Sequence, residues 1–213
     1  MTNLRTLLII VSFLYASHPL FGQSTPPAKI EWLSFQEAVT RNQTTPKKIF
    51  IDVFTDWCGW CKRMDASTFA DSSVVALFNR DYYAVKLDAE GYDTVVFAGH
   101  TFVNPNPTVK RSTHQLAAAL LNGKMSYPSF VFLNETNQML TTLAGFQAAD
   151  KLIPILLYFG EDHYKTMSWE QYRNSHQVNE TAQPASHEAE NRLRKCDRML
   201  ILKVSPDQSP VHR

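Results

Sequence analysis

Ile49-Phe50-Ile51-Asp52-Val53-Phe54, then Thr55-Asp56, then Trp57-Cys58-Gly59-Trp60-Cys61-Lys62: an apolar run leads into two cysteines two residues apart. The nearly unbroken β-branched and aromatic stretch 49–54 reads as a central strand buried on both faces. The segment that follows the cysteines, 63–78, is compatible with helix. That order places the first thiol at a helix N-terminus, where unpaired N–H groups and the macrodipole favour a thiolate. The stretch reads as a redox dithiol.

Working outward, residues 31–42 carry Trp32, Leu33, Phe35, Ala38 and Val39 at helical spacing, with Ser34 as a candidate N-cap. Thr44-Thr45-Pro46 breaks that pattern. After the cysteines, Ala70-Asp71-Ser72-Ser73 marks a kink, or a break with a new N-cap, in the apolar series Met64, Phe69, Val74, Val75, Leu77, Phe78. Residues 82–87 predict a strand, 92–98 a short helix, 100–112 an irregular loop with Pro105 and Pro107, and 114–121 a second short helix. A strand over 130–133, a polar turn and a return strand over 139–144 predict a hairpin. A closing helix over 148–159 contains Pro154, which bends or limits it. Alternating helices and strands in this order predict an α/β protein with a mixed sheet of at least four strands. A small helix over 169–172, capped by Ser168, is expected to dock through its aromatics.

The 213 residues carry 21 basic and 20 acidic side chains, a net charge of +1, which gives no sign of charge steering toward nucleic acid or acidic substrates. Hydrophobic residues make up 44%, enough for a real core. Arg5 followed by the apolar run 7–16 reads as a signal peptide over 1–22, too short to span a bilayer. The expected organisation continues with a leader over 23–29, a main domain over 30–160, an extension over 161–177 packed on it, and a polar, flexible tail over 178–213. Within that tail, 188–202 has a weak helical pattern. The expected destination is the periplasm or cell envelope, or secretion, with no membrane span after signal cleavage. Export places the chain where disulfides persist.

These residues resemble the thioredoxin superfamily. Residues 52–62 resemble its active site, and Tyr127-Pro128, just before the strand at 130–133, resembles its cis-proline element. The element order over 30–159 resembles its fold, and the exported form looks like the thioredoxin-like proteins of bacterial envelopes. The resemblance implies a thioredoxin-like fold, a central mixed β-sheet flanked by helices. It implies Cys58 and Cys61 as a redox disulfide, Asp52 as a buried carboxylate behind Cys61 that takes its proton, and Lys86 as the partner of that carboxylate. It also implies that Pro128 is cis and lies against the dithiol, where the Tyr127 backbone can pair with an extended substrate. Trp60 departs from the commonest motif, which has proline at that position.

The expected chemistry is thiol–disulfide exchange with exported proteins that bear disulfides or dithiols, and with an unidentified redox partner. Cys58 is the expected attacking and more exposed thiol, and Cys61, one turn on, the more buried resolving thiol. Trp57, Gly59, Trp60 and Tyr127 are the expected substrate surface, with Trp57 shielding the site. No cofactor or metal is implied, and a monomer is expected. The rivals are a disulfide oxidase or isomerase, and a non-enzymatic metal- or partner-binding module. A zinc site needs about four ligands, and the one further cysteine is Cys196 in the tail. An odd cysteine there reads as an incidental thiol.

Overall fold

A computed structural model describes residues 29–176. The expected signal peptide over 1–22, the leader up to 28 and the tail from 178 with Cys196 lie outside the described residues.

Helix α1 (Phe35–Thr44) begins where Ser34 forms a capping box: its side chain accepts from the Glu37 N–H, and the Glu37 carboxylate accepts from the Ser34 N–H. Because the box sets the helix start, Trp32 and Leu33 fall outside it. They form strand β1 (Trp32–Leu33), parallel to Ala84 and Val85, which corrects the expectation of helix from 31. Strand β2 (Lys48–Phe54) is the buried run at the heart of the sheet. Helix α2 (Gly59–Ala66) carries the cysteines, and a 3-10 turn (Thr68–Ala70) separates it from α3 (Ser72–Asp81). The break expected at 70–73 is there, and Asp71 caps α3 by accepting from the N–H groups of Ser73 and Val74. Asp71→Ala is expected to lower stability by about 1 kcal/mol, read as a shift of the urea midpoint at unchanged slope.

Strand β3 (Tyr82–Asp88) follows. Residues 92–98 are not helical: β4 (Val95–Phe97) and β5 (His100–Phe102) form an antiparallel hairpin, and the loop expected over 100–112 is strand at its start. Ala98 and Gly99, with φ of 50° and 76°, make the two-residue turn, the left-handed pair that matches strand twist. Helix α4 (Gln115–Leu120) is capped by His114, whose Nδ1 accepts from the Leu116 N–H. Strands β6 (Ser129–Leu133) and β7 (Met139–Ala144) form the expected hairpin, and α5 (Ala149–Gly160) runs through Pro154. Ser168 and Gln171 cap each other at the start of α6 (169–176). Tyr172, fully buried, and Trp169 pack on Tyr158 with ring centroids 5.1 and 5.3 Å away.

The five-stranded sheet runs β1-β3-β2-β6-β7, parallel through β2 and antiparallel beyond it. Alternation along β2 sends Ile49, Ile51 and Val53 to the face covered by α1 and α4. Phe50 faces the other side, with Met64 of α2, Val74 and Phe78 of α3, and Leu152 and Leu156 of α5. This is the α/β, thioredoxin-like arrangement of a central mixed sheet flanked by helices that the resemblance implies. It leaves the dithiol helix lying on the Phe50 face of the central strand.

Candidate active site

The chain leaves β2 at Phe54 and turns at once. The Cys58 N–H donates to Thr55 O at 3.1 Å, and Cys58 O accepts from the Lys62 N–H at 3.2 Å, so Cys58 is the N-cap of α2. Its Sγ accepts from the Cys61 N–H at 3.1 Å, and the two cysteines are joined in a disulfide. The sulfur thus occupies the acceptor place of an N-cap, where one unpaired donor and the positive end of the helix favour a thiolate. Both cysteines are buried, Cys58 at 4% and Cys61 at 2% exposure, so Cys58 is not the markedly more exposed thiol expected. The capping contact folds its sulfur back over the helix end. What is exposed is the rim: Trp57 at 52% and Trp60 at 55%, with Gly59 between the cysteines, where an added Cβ would meet nothing within 4 Å.

Cys61 and Met64, three residues apart, are the buried face of α2. Asp52, two residues after Phe50 on β2, shares Phe50's face of the sheet and is fully buried. Lys86 sits directly opposite it on β3 and donates from Nζ to Asp52 Oδ2 at 2.6 Å. The Lys86 ammonium also donates to Asp65 Oδ1 of α2 and lies over the rings of Trp32, Phe54 and Phe69 at 4.8, 5.2 and 5.2 Å. Asp52 Oδ1 has no hydrogen-bond partner among the described residues. Burial raises the Asp52 pKa to about 6; the ammonium pulls it back only in part, and Asp65 adds to the rise. A cleft of about 530 Å³, with Trp32 and Phe69 in its wall, opens onto Lys86 and Asp65. The structure therefore joins Cys58 to Cys61 and pairs Asp52 with Lys86, as expected from the sequence, and adds Asp65, which ties Lys86 to the helix that carries the cysteines.

Trp57 is held from three sides. Its indole N–H donates to Glu90 Oε1 at 2.9 Å, the Tyr127 ring meets it edge-on at 5.9 Å, and the Arg111 guanidinium lies 5.0 Å over its face. It is held next to Cys58 in the chain with about half of its surface exposed. Trp60 lies 5.6 Å from the Phe146 ring, with the Arg63 guanidinium over both. The Tyr127-Pro128 bond is cis, and Pro128 O accepts from the Gly145 N–H at 2.8 Å. Burial, then Glu90 and Asp88, push the Tyr127 hydroxyl up to about 12. Among the described residues no group of three or more His, Cys, Asp or Glu side chains is placed to hold a metal ion.

Asp65, Glu90, Arg111, Arg63 and Phe146 were not legible as site residues. Glu90 and Arg111 belong to the 89–114 segment, whose return to Trp57 is a matter of tertiary path. Asp65 alone had a local signal: it lies four residues after Cys61 on the same helix, hence near its buried face.

The geometry defines a class: a thiol–disulfide oxidoreductase-like thioredoxin fold with a redox-type cysteine pair. Within that class, the chain belongs to the family described as Thioredox_DsbH, protein of unknown function (DUF255), whose model matches residues 16–153. It is 30% identical over 79 residues to the thiol:disulfide interchange protein DsbD of Yersinia enterocolitica, covering 32% of this chain and 14% of that protein. The chain thus matches a small part of DsbD's length. A solved structure of a DsbH oxidoreductase aligns with 67% of this chain and 93% of its own at 19% identity and a TM-score of 0.44. A putative disulphide-isomerase from Bacteroides thetaiotaomicron aligns with 63% and 95% at 28% identity and a TM-score of 0.44. Among the described residues no helix is long and apolar enough to cross a membrane.

Proposed function

We propose that the protein is an exported thiol–disulfide oxidoreductase that reduces disulfides in exported proteins. The observation that carries the proposal is the Cys58–Cys61 pair capping α2 on the sheet face that also buries Asp52. In the dithiol form, the Cys58 thiolate attacks one sulfur of a substrate disulfide and the other sulfur leaves as a thiolate. Cys61 then attacks Cys58 Sγ, its proton goes to Asp52, and the second substrate sulfur is released. Two electrons have passed to the substrate, and the protein holds the disulfide until an external dithiol reduces it.

A carboxyl with a pKa raised to about 6 is largely ionised at neutral pH, yet a better proton acceptor than an ordinary aspartate, which suits it to this second step. Lys86 holds the carboxylate in place, and Trp57, Gly59, Trp60, Tyr127 and Pro128 form the surface that receives the substrate chain. Export rests on the apolar run 7–16 behind Arg5, with residues 30–160 as the catalytic domain and 161–177 as its extension. Reduction of insulin by dithiothreitol, followed by turbidity, tests the proposal. The protein is expected to accelerate it, and a rate equal to dithiothreitol alone would overturn it. The Cys58–Cys61 potential in glutathione buffers tests direction: a strongly reducing value is expected, and an oxidising one would make the protein a disulfide donor instead.

A further inference from the structure

The two exposed indoles beside the disulfide have different electrostatic settings. On the Trp57 side, the Arg111 guanidinium shares the indole with the Glu90 carboxylate, and Asp56 is exposed next in sequence. On the Trp60 side, Arg63 covers two aromatic rings, Trp60 and Phe146, and forms no ion pair among the described residues. The nearest acid on its own helix, Asp65, is taken by Lys86. Lys62, exposed beside it, adds a second positive charge. One flank of the dithiol is thus an apolar, cationic surface whose planar fork has no internal acceptor. Stacking over the rings leaves the guanidinium edge, with its N–H donors, free to meet a carboxylate two-pronged.

We propose that Arg63, seated on Trp60 and Phe146, is a specificity residue that binds an acidic side chain of a polypeptide substrate near its disulfide. The proposal rests on the oxidoreductase reading above. Position follows from the helix: Arg63 is five residues beyond Cys58, a rise of about 7.5 Å. That distance corresponds to about two residues of extended chain, so the acid lies about two residues from the cysteine that Cys58 attacks. The aromatic pair takes the apolar part of the same segment. The electron flow is unchanged; the subsite acts on substrate choice.

The test uses two oxidised peptides of identical length, each with one internal disulfide. One has Asp and the other Asn two residues from each cysteine, and dithiothreitol is the reductant. Wild type is expected to show a kcat/KM about tenfold higher for the Asp peptide at low salt, the gain of one good charge-assisted contact of about 1.4 kcal/mol. The preference is expected to shrink at high salt. Arg63→Gln is expected to bring the ratio to about one, and Arg63→Lys to keep part of it, since the ammonium retains charge without the fork. Equal wild-type rates on the two peptides, or an equal loss on both in Arg63→Gln, would overturn the subsite. Failure to reduce either peptide would instead overturn the oxidoreductase reading.

Discussion

Cys61→Ser is expected to stop turnover and to leave the protein covalently joined to its substrate, whereas Cys58→Ser stops turnover with nothing captured. The asymmetry follows from where each sulfur sits. Cys58 Sγ occupies the N-cap and accepts from the backbone N–H of residue 61. A serine at 61 keeps that N–H and the helix end that stabilise the Cys58 thiolate, so the first attack still proceeds. It cannot supply the second thiol, so the mixed disulfide persists until an outside thiol resolves it. A serine at 58 removes the nucleophile itself, and Cys61, inside the first turn of the helix, lacks the N-cap place that stabilises a thiolate. Both variants are expected to lose about three orders of magnitude or more in turnover, the scale seen when a nucleophile is removed. The near-equal size of serine and cysteine makes loss of fold a minor effect. Non-reducing electrophoresis and intact-mass measurement after mixing with an oxidised peptide separate the two. A stable adduct on Cys58→Ser and none on Cys61→Ser would exchange the two roles.

The parts of this molecule that could be read in advance are those whose signal is local. Residues 49–54 announce a buried strand because every side chain there except Asp52 is suited to two covered faces, and Asp52 is conspicuous as the one charge among them. The break at Asp71 was visible because a cap is a property of three consecutive residues. Local pattern misleads where tertiary context competes with it. Trp32 and Leu33 fit a helical stripe equally well, and they became strand because the Ser34–Glu37 box starts the helix after them and β3 offers a parallel partner. The 95–102 hairpin reads as helix and loop because its turn is Ala98-Gly99 rather than the common Asn-Gly, and an alanine at φ 50° is not anticipated from sequence. The same limit governs the site. The cysteines follow from a motif, and Asp52 and Lys86 from the resemblance to the thioredoxin superfamily; their register opposite each other is seen only in the fold. The clamp on Trp57 by Glu90 and Arg111, and the seat of Arg63 on Phe146, depend on where segments distant in sequence return.

Asp52→Asn is expected to make the protein more stable at pH 7 and less active, two effects of opposite sign from one atom. In the folded protein, burial holds the carboxyl pKa at about 6, against an ordinary value of 3.8. Folding therefore favours the protonated form. Below about pH 4 the group is protonated in both states and its favourable contribution is fully present. Between about pH 4 and pH 6 the unfolded chain releases this proton while the folded one keeps it, so stability falls as pH rises. Above about pH 6 both states are ionised and the penalty is constant. A difference of about two units corresponds to about 3 kcal/mol, and the fully buried position of Asp52 leaves little solvent screening to reduce it.

Asparagine, neutral at every pH, resembles the protonated form. The oxidised variant is therefore expected to gain about 3 kcal/mol at pH 7 in urea unfolding, and to lose the downward slope between pH 4 and 6. Lys86 keeps a partner in Asp65, so the variant does not strand a buried ammonium. In catalysis the same change removes the acceptor for the Cys61 proton. The mixed disulfide formed at Cys58 should then resolve more slowly, and the inflection near pH 6 in the resolution rate should vanish. The two measurements together separate a role in proton transfer from one in holding the fold. A variant destabilised at pH 7 with resolution unchanged would mean that Asp52 serves its ion pair with Lys86, and that the proton leaves Cys61 by another path.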